Sequence, residues 1–227
     1  MIEIWWARLS TQPIDRAWID DLNSVERERL AAYQRVEDQD RFLLGCTIVR
    51  RLLAGRQQLP PARIAIDRTC ADCGRPHGKV RAQGAELSIS HSGDLVGVAF
   101  HPTTPVGLDV ELINPGLDAV ALARVSLAPA ETEELLKADD QAAAFTTYWT
   151  RKEAVVKATG DGIGADLTKL EVSPPDQPAA LLSWPGHDGP IQLLDIESAP
   201  NHRAALAALT DKEIEAVNRE AAELLRS

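Results

Sequence analysis

The sequence predicts an α+β fold, because helical and extended hydrophobic patterns both recur in each half of the chain. Apolar residues at helical spacing occupy a long segment from about Val36 to Arg56 and a second segment that ends at Gly160. Segments 2–9 and 106–113 are rich in β-branched and other apolar residues and predict strands. Helices are followed by strands in both halves, although no sequence repeat is visible.

Composition limits the class of protein. The chain has 227 residues, of which 44% are hydrophobic and 26% charged, enough for one domain or two small ones with packed cores. The formal net charge of −10 does not support nucleic-acid binding, which usually requires a basic footprint. We expect no membrane segment and no signal peptide, because long apolar runs and a charged-then-apolar start are missing. Three cysteines argue against a disulfide framework and favour a cytoplasmic location.

Basic residues are concentrated between Arg41 and Arg81. This segment has nine Lys or Arg and two acids, a local balance of +7. Such a surface suits phosphates or an acidic protein partner. The alternative is a set of helix-surface arginines whose aliphatic stems cover apolar surface.

Short patterns predict the remaining elements of the N-terminal half. Two short helices are expected within residues 14–33, separated by a capping box at Asn23–Glu26. Ile64–Ile66 predicts a short strand, and Glu86–His91 with Leu95–His101 predicts a hairpin. Pro102–Pro105 is the expected junction between the halves.

The C-terminal half begins with the predicted strand Val106–Ile113. Short helices follow at about 118–124 and 129–138, and the helix from Trp149 ends at Gly160. Strands are expected at 167–173, 191–197 and 203–210. A capping box at Thr210–Glu213 predicts a C-terminal helix that extends to about Leu225.

Carboxylates on the strand at 106–113 form the first candidate site. Strand alternation sends Asp109 and Glu111 to one face, where they repel each other unless a cation lies between them. Glu153 and Lys157 are one helical turn apart, so an anionic ligand and a phosphate-binding cation can face one pocket. Asp109, Glu111 and Glu153 together suit Mg²⁺. The alternatives are exposed carboxylates on an edge strand and an ordinary helical Glu–Lys pair.

A Cys-x-x-Cys segment lies within the basic stretch. Cys70, Cys73 and His77 offer three zinc ligands, one fewer than a structural zinc site uses. A non-catalytic, zinc-containing interaction module therefore stays open as an alternative. Cys46 belongs to a predicted helix and is expected in the core.

Three segments, in this order, resemble the motifs of the 4′-phosphopantetheinyl transferase superfamily, in its Sfp-type monomeric branch. They are Leu87-Ser-Ile-Ser-His-Ser92, Gly107-x-Asp-x-Glu111 and Trp149-x-x-Lys-Glu-Ala-x-x-Lys-x-x-Gly160. The resemblance implies two similar α+β subdomains, each with a helix packed on a small antiparallel sheet, related by a pseudo-twofold. We expect an N-terminal subdomain at 1–103 that contacts the coenzyme A nucleotide and phosphates. A C-terminal subdomain at 104–227 would carry the metal-binding carboxylates and the helix that ends at Gly160.

The resemblance also implies a reaction. Coenzyme A would bind across the cleft between the halves, with its pyrophosphate on Mg²⁺, or alternatively Mn²⁺, held by Asp109, Glu111 and Glu153. A serine hydroxyl of an acyl, peptidyl or aryl carrier protein would attack the β-phosphorus, take up 4′-phosphopantetheine and release 3′,5′-ADP. Glu153 is the expected general base, directly or through a metal-bound water, and Lys157 would neutralise phosphate charge. The branch is monomeric and of broad specificity, which favours nonribosomal peptide or polyketide biosynthesis.

Residues for coenzyme A follow from the same resemblance. Those expected to contact its nucleotide end or its phosphates are Arg41, Arg75, Lys79, Ser90, His91, Lys152 and Lys157. The alternative for Lys152 is that it orients its own helix. His91 would contact a phosphate or handle a proton; the alternative for it is a structural histidine. A rival enzyme class, a Mg²⁺-dependent phosphohydrolase of a nucleotide diphosphate, would use the same three carboxylates and no protein acceptor.

Overall fold

A computed structural model describes residues 1–70 and 73–226 of the chain. Its described residues divide into two compact units, one running to Thr103 and resuming at Glu215, the other spanning Thr104–Ile214. The elements along the chain are β1 (Ile2–Arg8), α1 (Ser24–Ala32), α2 (Val36–Gln57), β2 (Arg81–Ala82), β3 (Ala85–Ser92), β4 (Leu95–His101), β5 (Val106–Leu112), α3 (Ala119–Ser126), α4 (Pro129–Leu135), α5 (Gln141–Thr159), β6 (Glu171–Val172), β7 (Leu181–Ser183), β8 (Gln192–Asp195), β9 (His202–Ala208), β10 (Ala216–Glu220) and α6 (Ala222–Leu225). Short 3-10 helices lie at Arg16–Asp21, Pro61–Arg63, Gly162–Gly164 and Leu167–Lys169. The predicted α+β class is confirmed.

The first unit is one sheet covered by α2. The strand order is β10, β1, β4, β3, β2, with β10 parallel to β1 and the other pairs antiparallel. The middle of α2 is apolar on almost every side, and it packs on β3 and β4. Gly45 permits this packing, because a Cβ atom there would stand 3.3 Å from the Ile89 side chain.

A buried ion pair ties the helical layer of this unit together. The Arg50 Nε atom donates to Glu26 over 2.6 Å, and both side chains are almost completely enclosed. The Arg50 guanidinium also donates to the carbonyls of Pro61 and Ile64. The predicted capping box is confirmed, since Asn23 and Glu26 exchange hydrogen bonds with each other's backbone amides.

The second unit has its own sheet and its own long helix. Strands β5, β9 and β8 form an antiparallel sheet in that order, and β6 pairs with β7 separately. Helix α5 packs on β5 and β9. It starts at Gln141, capped by the Asp140 side chain, and ends at Gly160 in the left-handed conformation.

Three local predictions are wrong. No helix begins at Thr210: its hydroxyl accepts from the Lys212 amide in a turn, after which the chain forms β10 and only the short α6. The structure therefore assigns the residues from Glu215 onward to the first unit, not to the C-terminal one. Ile64–Ile66 is not a strand, and the neighbouring Asp67 makes only an isolated bridge to Arg81. The predicted strand at 167–173 is a 3-10 helix followed by the two-residue β6.

Candidate active site

Close packing of α5 on β5 shapes the site. A Cβ atom at Gly107 would collide with the Ala154 carbonyl oxygen and the Ala158 amide of α5. Across the sheet, Gly107 is opposite Ala207, and Asp109 is opposite Ala205. Because this face of the sheet carries only small side chains near Gly107, the helix backbone lies directly on the strand. Alternation then directs Asp109 toward the same helix.

Asp109 and Lys157 form the central ion pair of this face. The Lys157 Nζ atom lies 2.6 Å from Asp109 Oδ1. The Asp109 side chain is 3% exposed, whereas that of Lys157 is 30% exposed. The carboxylate is therefore enclosed, whereas the lysine side chain that pairs with it is partly open to solvent.

Glu153 lies one turn before Lys157 on α5. Burial raises the pKa of the Glu153 carboxyl above its ordinary value, the negative charge of Asp109 raises it further, and Lys157 opposes both effects. Two carboxylates and one ammonium thus share a half-buried environment that carries an excess of negative charge. This is the arrangement in which an added cation is stabilised.

Glu111 extends the acidic face toward the end of β5. It is two residues from Asp109, on the same strand face, and is half buried. Its partner in the β5–β9 register is the exposed Arg203. No sequence pattern indicated Arg203 as a neighbour of Glu111, and the pairing of β5 with β9 reveals it.

The donor set of this face matches a hard divalent cation. Asp109, Glu111 and Glu153 offer carboxylate oxygens only, which Mg²⁺ prefers. Burial raises the pKa of the Glu153 carboxyl, and the negative charge of Asp109 raises it further, so an added cation would stabilise the ionised pair. In the chemistry of their donor atoms these three residues therefore suit Mg²⁺, and Lys157 adds a positive charge beside Asp109.

Lys152 has a different environment, and its predicted contact with a coenzyme phosphate is wrong. Its side chain is completely buried, and its ammonium pairs with Glu131 at 2.5 Å. It also donates to the carbonyls of Leu167 and Leu170 over 2.8 and 2.6 Å. Glu131 in turn accepts the Ala128 and Val172 amides. Lys152 therefore joins α5 to α4 and to the segment before β6, and no donor is left to reach a ligand.

Arg41, Ser90 and His91 gather around the β3–β4 hairpin of the first unit. The Arg41 Nε atom donates to the Gly93 carbonyl in the hairpin turn over 2.6 Å, and its Nη1 atom pairs with Asp38. Ser90 is buried and His91 exposed at the end of β3. These three predicted residues thus lie on neighbouring segments.

Arg75 and Lys79 lie on the loop between the Pro61–Arg63 helix and β2. Arg75 is exposed, and hydrogen bonding to the Cys73 thiol raises the pKa of its guanidinium. Burial lowers the pKa of the Lys79 ammonium, and Glu86 opposes that shift. The same loop brings Cys70, Cys73 and His77 together, with one ligand atom from each within 4.8 Å of the others.

Cysteine chemistry differs sharply between the core and this loop. Burial in α2 raises the pKa of the Cys46 thiol to about 12, which makes it an inert core residue, as predicted. Hydrogen bonds from Arg75 and from His77 lower the pKa of the exposed Cys73 thiol to about 6.

None of the helices within the described ranges is long and apolar enough to span a bilayer.

Comparison with known proteins gives a consistent result. A family model described as the 4′-phosphopantetheinyl transferase superfamily matches residues 105–210. The chain is 33% identical over 191 residues to the 4′-phosphopantetheinyl transferase HetI of Nostoc sp., covering 82% of this chain and 78% of that protein. It is 30% identical over 208 residues to the 4′-phosphopantetheinyl transferase psf-1 of Bacillus pumilus, covering 87% of each. Identity to the 4′-phosphopantetheinyl transferase Sfp of Bacillus subtilis is 26% over 207 residues, or 90% of each chain.

Proposed function

Because this chain belongs to the 4′-phosphopantetheinyl transferase superfamily and is an enzyme of that kind, we propose that it modifies apo carrier proteins. The transferred group is the 4′-phosphopantetheine of coenzyme A, and the acceptor is a serine of an acyl, peptidyl or aryl carrier domain. Nonribosomal peptide and polyketide synthesis supply such acceptors. We further propose that the enzyme acts as a monomer in the cytoplasm.

The observation that carries the proposal is the Lys157–Asp109 ion pair beside Glu153. A pyrophosphate needs positive charge on its oxygens and an acidic cradle for a divalent cation, and this face combines the two requirements. Asp109, Glu111 and Glu153 would hold Mg²⁺, which when bound supplies charge neutralisation to the pyrophosphate.

The chain's own residues account for the remaining steps. Lys157, whose ammonium reaches Asp109 from the solvent-exposed rim, would turn to a phosphate oxygen when coenzyme A binds. Glu153 would accept the proton of the acceptor serine, and its raised pKa makes it a better base than an ordinary carboxylate. The serine oxygen forms a bond to the β-phosphorus as the bond to the bridging oxygen breaks, and 3′,5′-ADP leaves with that oxygen.

Residues of the first unit complete the proposed coenzyme contacts. We assign Arg41, Ser90 and His91, around the β3–β4 hairpin, to the nucleotide end and its phosphates. Arg75 and Lys79, on the loop before β2, are the further cationic candidates. His91 is exposed at its strand end, which suits a phosphate contact.

Intact-mass analysis of an apo carrier protein tests the proposal. The carrier is incubated with coenzyme A, Mg²⁺ and either the wild-type enzyme, Asp109→Asn or Glu153→Gln. The matched control is Asp166→Asn, an exposed acid of the same unit that pairs with Lys169 on the surface. Wild type and control should add one phosphopantetheine, and the two site variants should lose at least about 100-fold in rate. EDTA should abolish the wild-type reaction.

Other outcomes would overturn the proposal. Hydrolysis of coenzyme A without modification of several carriers would identify a phosphohydrolase. Full activity of Asp109→Asn would show that the acidic face does not take part in the reaction. Loss of activity in the Asp166→Asn control would show that the assay reports stability instead of catalysis.

A further inference from the structure

The loop that carries Cys70, Cys73 and His77 has the construction of a metal knuckle. The Gly74 amide donates to the Cys70 carbonyl over 2.9 Å, which brings the backbone after Cys73 close to Cys70. Gly74 has a φ of +69°, a conformation that L side chains rarely adopt. The sulfurs of Cys70 and Cys73 lie within 4.8 Å of each other.

Backbone contacts bring the histidine to the same side. The Arg75 carbonyl accepts the amides of both Cys70 and His77, over 2.8 and 2.9 Å. Gly78 then passes so close to the first cysteine that a Cβ atom would stand 2.8 Å from the Thr69 oxygen and 2.9 Å from Cys70 Cα. The path of the chain thus positions His77 against the cysteine pair.

We propose that Cys70, Cys73 and His77 bind a thiophilic divalent cation, Zn²⁺ in the first instance, through three protein ligands at a site separate from the acidic face of the second unit. Their ligand atoms all lie within 4.8 Å of one another, and Cys73 Sγ is 2.9 Å from His77 Nε2. Tetrahedral zinc with ordinary Zn–S and Zn–N bonds separates two such ligands by about 3.6 Å. A side-chain shift of less than about 1 Å would therefore admit the ion.

The chemistry of the donors selects the metal. Two sulfurs and one imidazole nitrogen suit zinc and disfavour Mg²⁺, which prefers oxygen ligands. Among the described residues, no other His, Cys, Asp or Glu joins this group. The proposal therefore rests on these three protein ligands.

A bound ion would stabilise the loop that carries the three ligands. Cys73, Arg75 and His77 are exposed, so the loop buries little apolar surface and is held mainly by backbone hydrogen bonds. Small, poorly packed segments commonly depend on a metal for their order. The same loop leads into Lys79, so the ion would also fix the start of the segment that carries that lysine.

The first test is metal content of the purified, reduced full-length protein. One zinc per chain should survive dialysis, and Co²⁺ in its place should give the thiolate-to-cobalt absorption band. Cys73→Ser and His77→Asn should reduce the zinc content to background and weaken affinity by more than about 100-fold, since loss even of an outer-sphere partner costs 10–100-fold. The Co²⁺ band is read on wild type, so the test does not depend on variant folding.

Matched controls separate this site from the others. Cys46→Ala changes the buried cysteine of α2, and His187→Asn changes a half-buried histidine stacked on Trp184. Asp109→Asn alters the acidic face. All three should retain one zinc per chain. Zinc lost from Asp109→Asn but kept by Cys73→Ser would overturn the proposal, as would wild type without stoichiometric zinc and without the cobalt band.

Discussion

Two lysines of α5 form ion pairs of almost equal length in very different surroundings. Lys152 lies 2.5 Å from Glu131 and Lys157 lies 2.6 Å from Asp109. The Lys152 ammonium is enclosed and also bonded to backbone carbonyls, whereas the Lys157 side chain is 30% exposed. The two distances alone therefore do not distinguish the pairs. A lysine that is partly open to solvent can exchange its partner for a bound ligand, and this is the role that we propose for Lys157.

Breaking the enclosed pair should give the largest effect. Lys152→Met leaves Glu131 buried with its charge uncompensated, which should cost about 3–5 kcal/mol of unfolding free energy. The expected result is a strongly lowered midpoint of thermal unfolding, with kcat of the remaining folded enzyme nearly unchanged. Differential scanning calorimetry and carrier modification at low temperature measure the two quantities.

A surface pair provides the control for that experiment. Lys137 pairs with Glu134 at 2.7 Å, and both side chains are more than half exposed. Lys137→Met should change stability by less than about 0.5 kcal/mol. If Lys152→Met were as stable as wild type and bound coenzyme A weakly, Lys152 would be a ligand-binding residue after all.

Removing the accessible lysine should affect catalysis more than stability. Lys157→Ala should lower kcat by about 100- to 1,000-fold, the usual cost of losing one donor to developing charge. It also leaves the buried Asp109 without its ammonium beside Glu153, so the metal-free protein should lose roughly 1–3 kcal/mol. Added Mg²⁺ should restore most of that loss, because a ligand that binds only the folded state stabilises it.

For Lys152→Met, added Mg²⁺ should raise the free energy of unfolding only as much as it does for wild type. Equal recovery of the two variants would contradict the contrast between the pairs. Lys169→Ala, an exposed lysine of the same unit, should match wild type in both assays.

The smallest expected effect concerns Glu153 and pH. Its folded pKa is raised above the ordinary value of 4.5, first by burial and then by Asp109. The folded state therefore holds the proton more tightly than the unfolded chain, and wild type loses stability as pH rises through that raised pKa. Without metal, Glu153→Gln should be more stable than wild type at pH 8 by about 0.5 kcal/mol after solvent screening. The difference should vanish near pH 4.

Urea denaturation of both proteins in EDTA across this pH range measures the difference. Added Mg²⁺ should make wild type the more stable of the two proteins at pH 8, because wild type binds the ion more tightly than the variant. A pH-independent difference would mean that the folded protein does not raise the pKa of Glu153.

Much of the fold was predictable from local patterns. Helix α2 and strands β1, β3, β4 and β5 lie where apolar periodicity predicted them, because each buries its apolar residues in its own unit. The C-terminal segment was not predictable from local patterns. Thr210 caps a turn, and the next strand, β10, forms by pairing with β1, more than 200 residues away. A capping pattern reports local hydrogen bonding and carries no information about distant strand edges.

Residue spacing predicted which residues make up the acidic face. Alternation placed Asp109 and Glu111 on one strand face, and helical periodicity placed Glu153 beside Lys157. The different environments of the two lysines of α5 and the position of Arg203 opposite Glu111 became visible in the folded chain. The reason is physical: spacing fixes the direction of a side chain relative to its own element, whereas burial and partners depend on what packs against it. Glu131 encloses one lysine, and Gly107 brings the other within reach of Asp109.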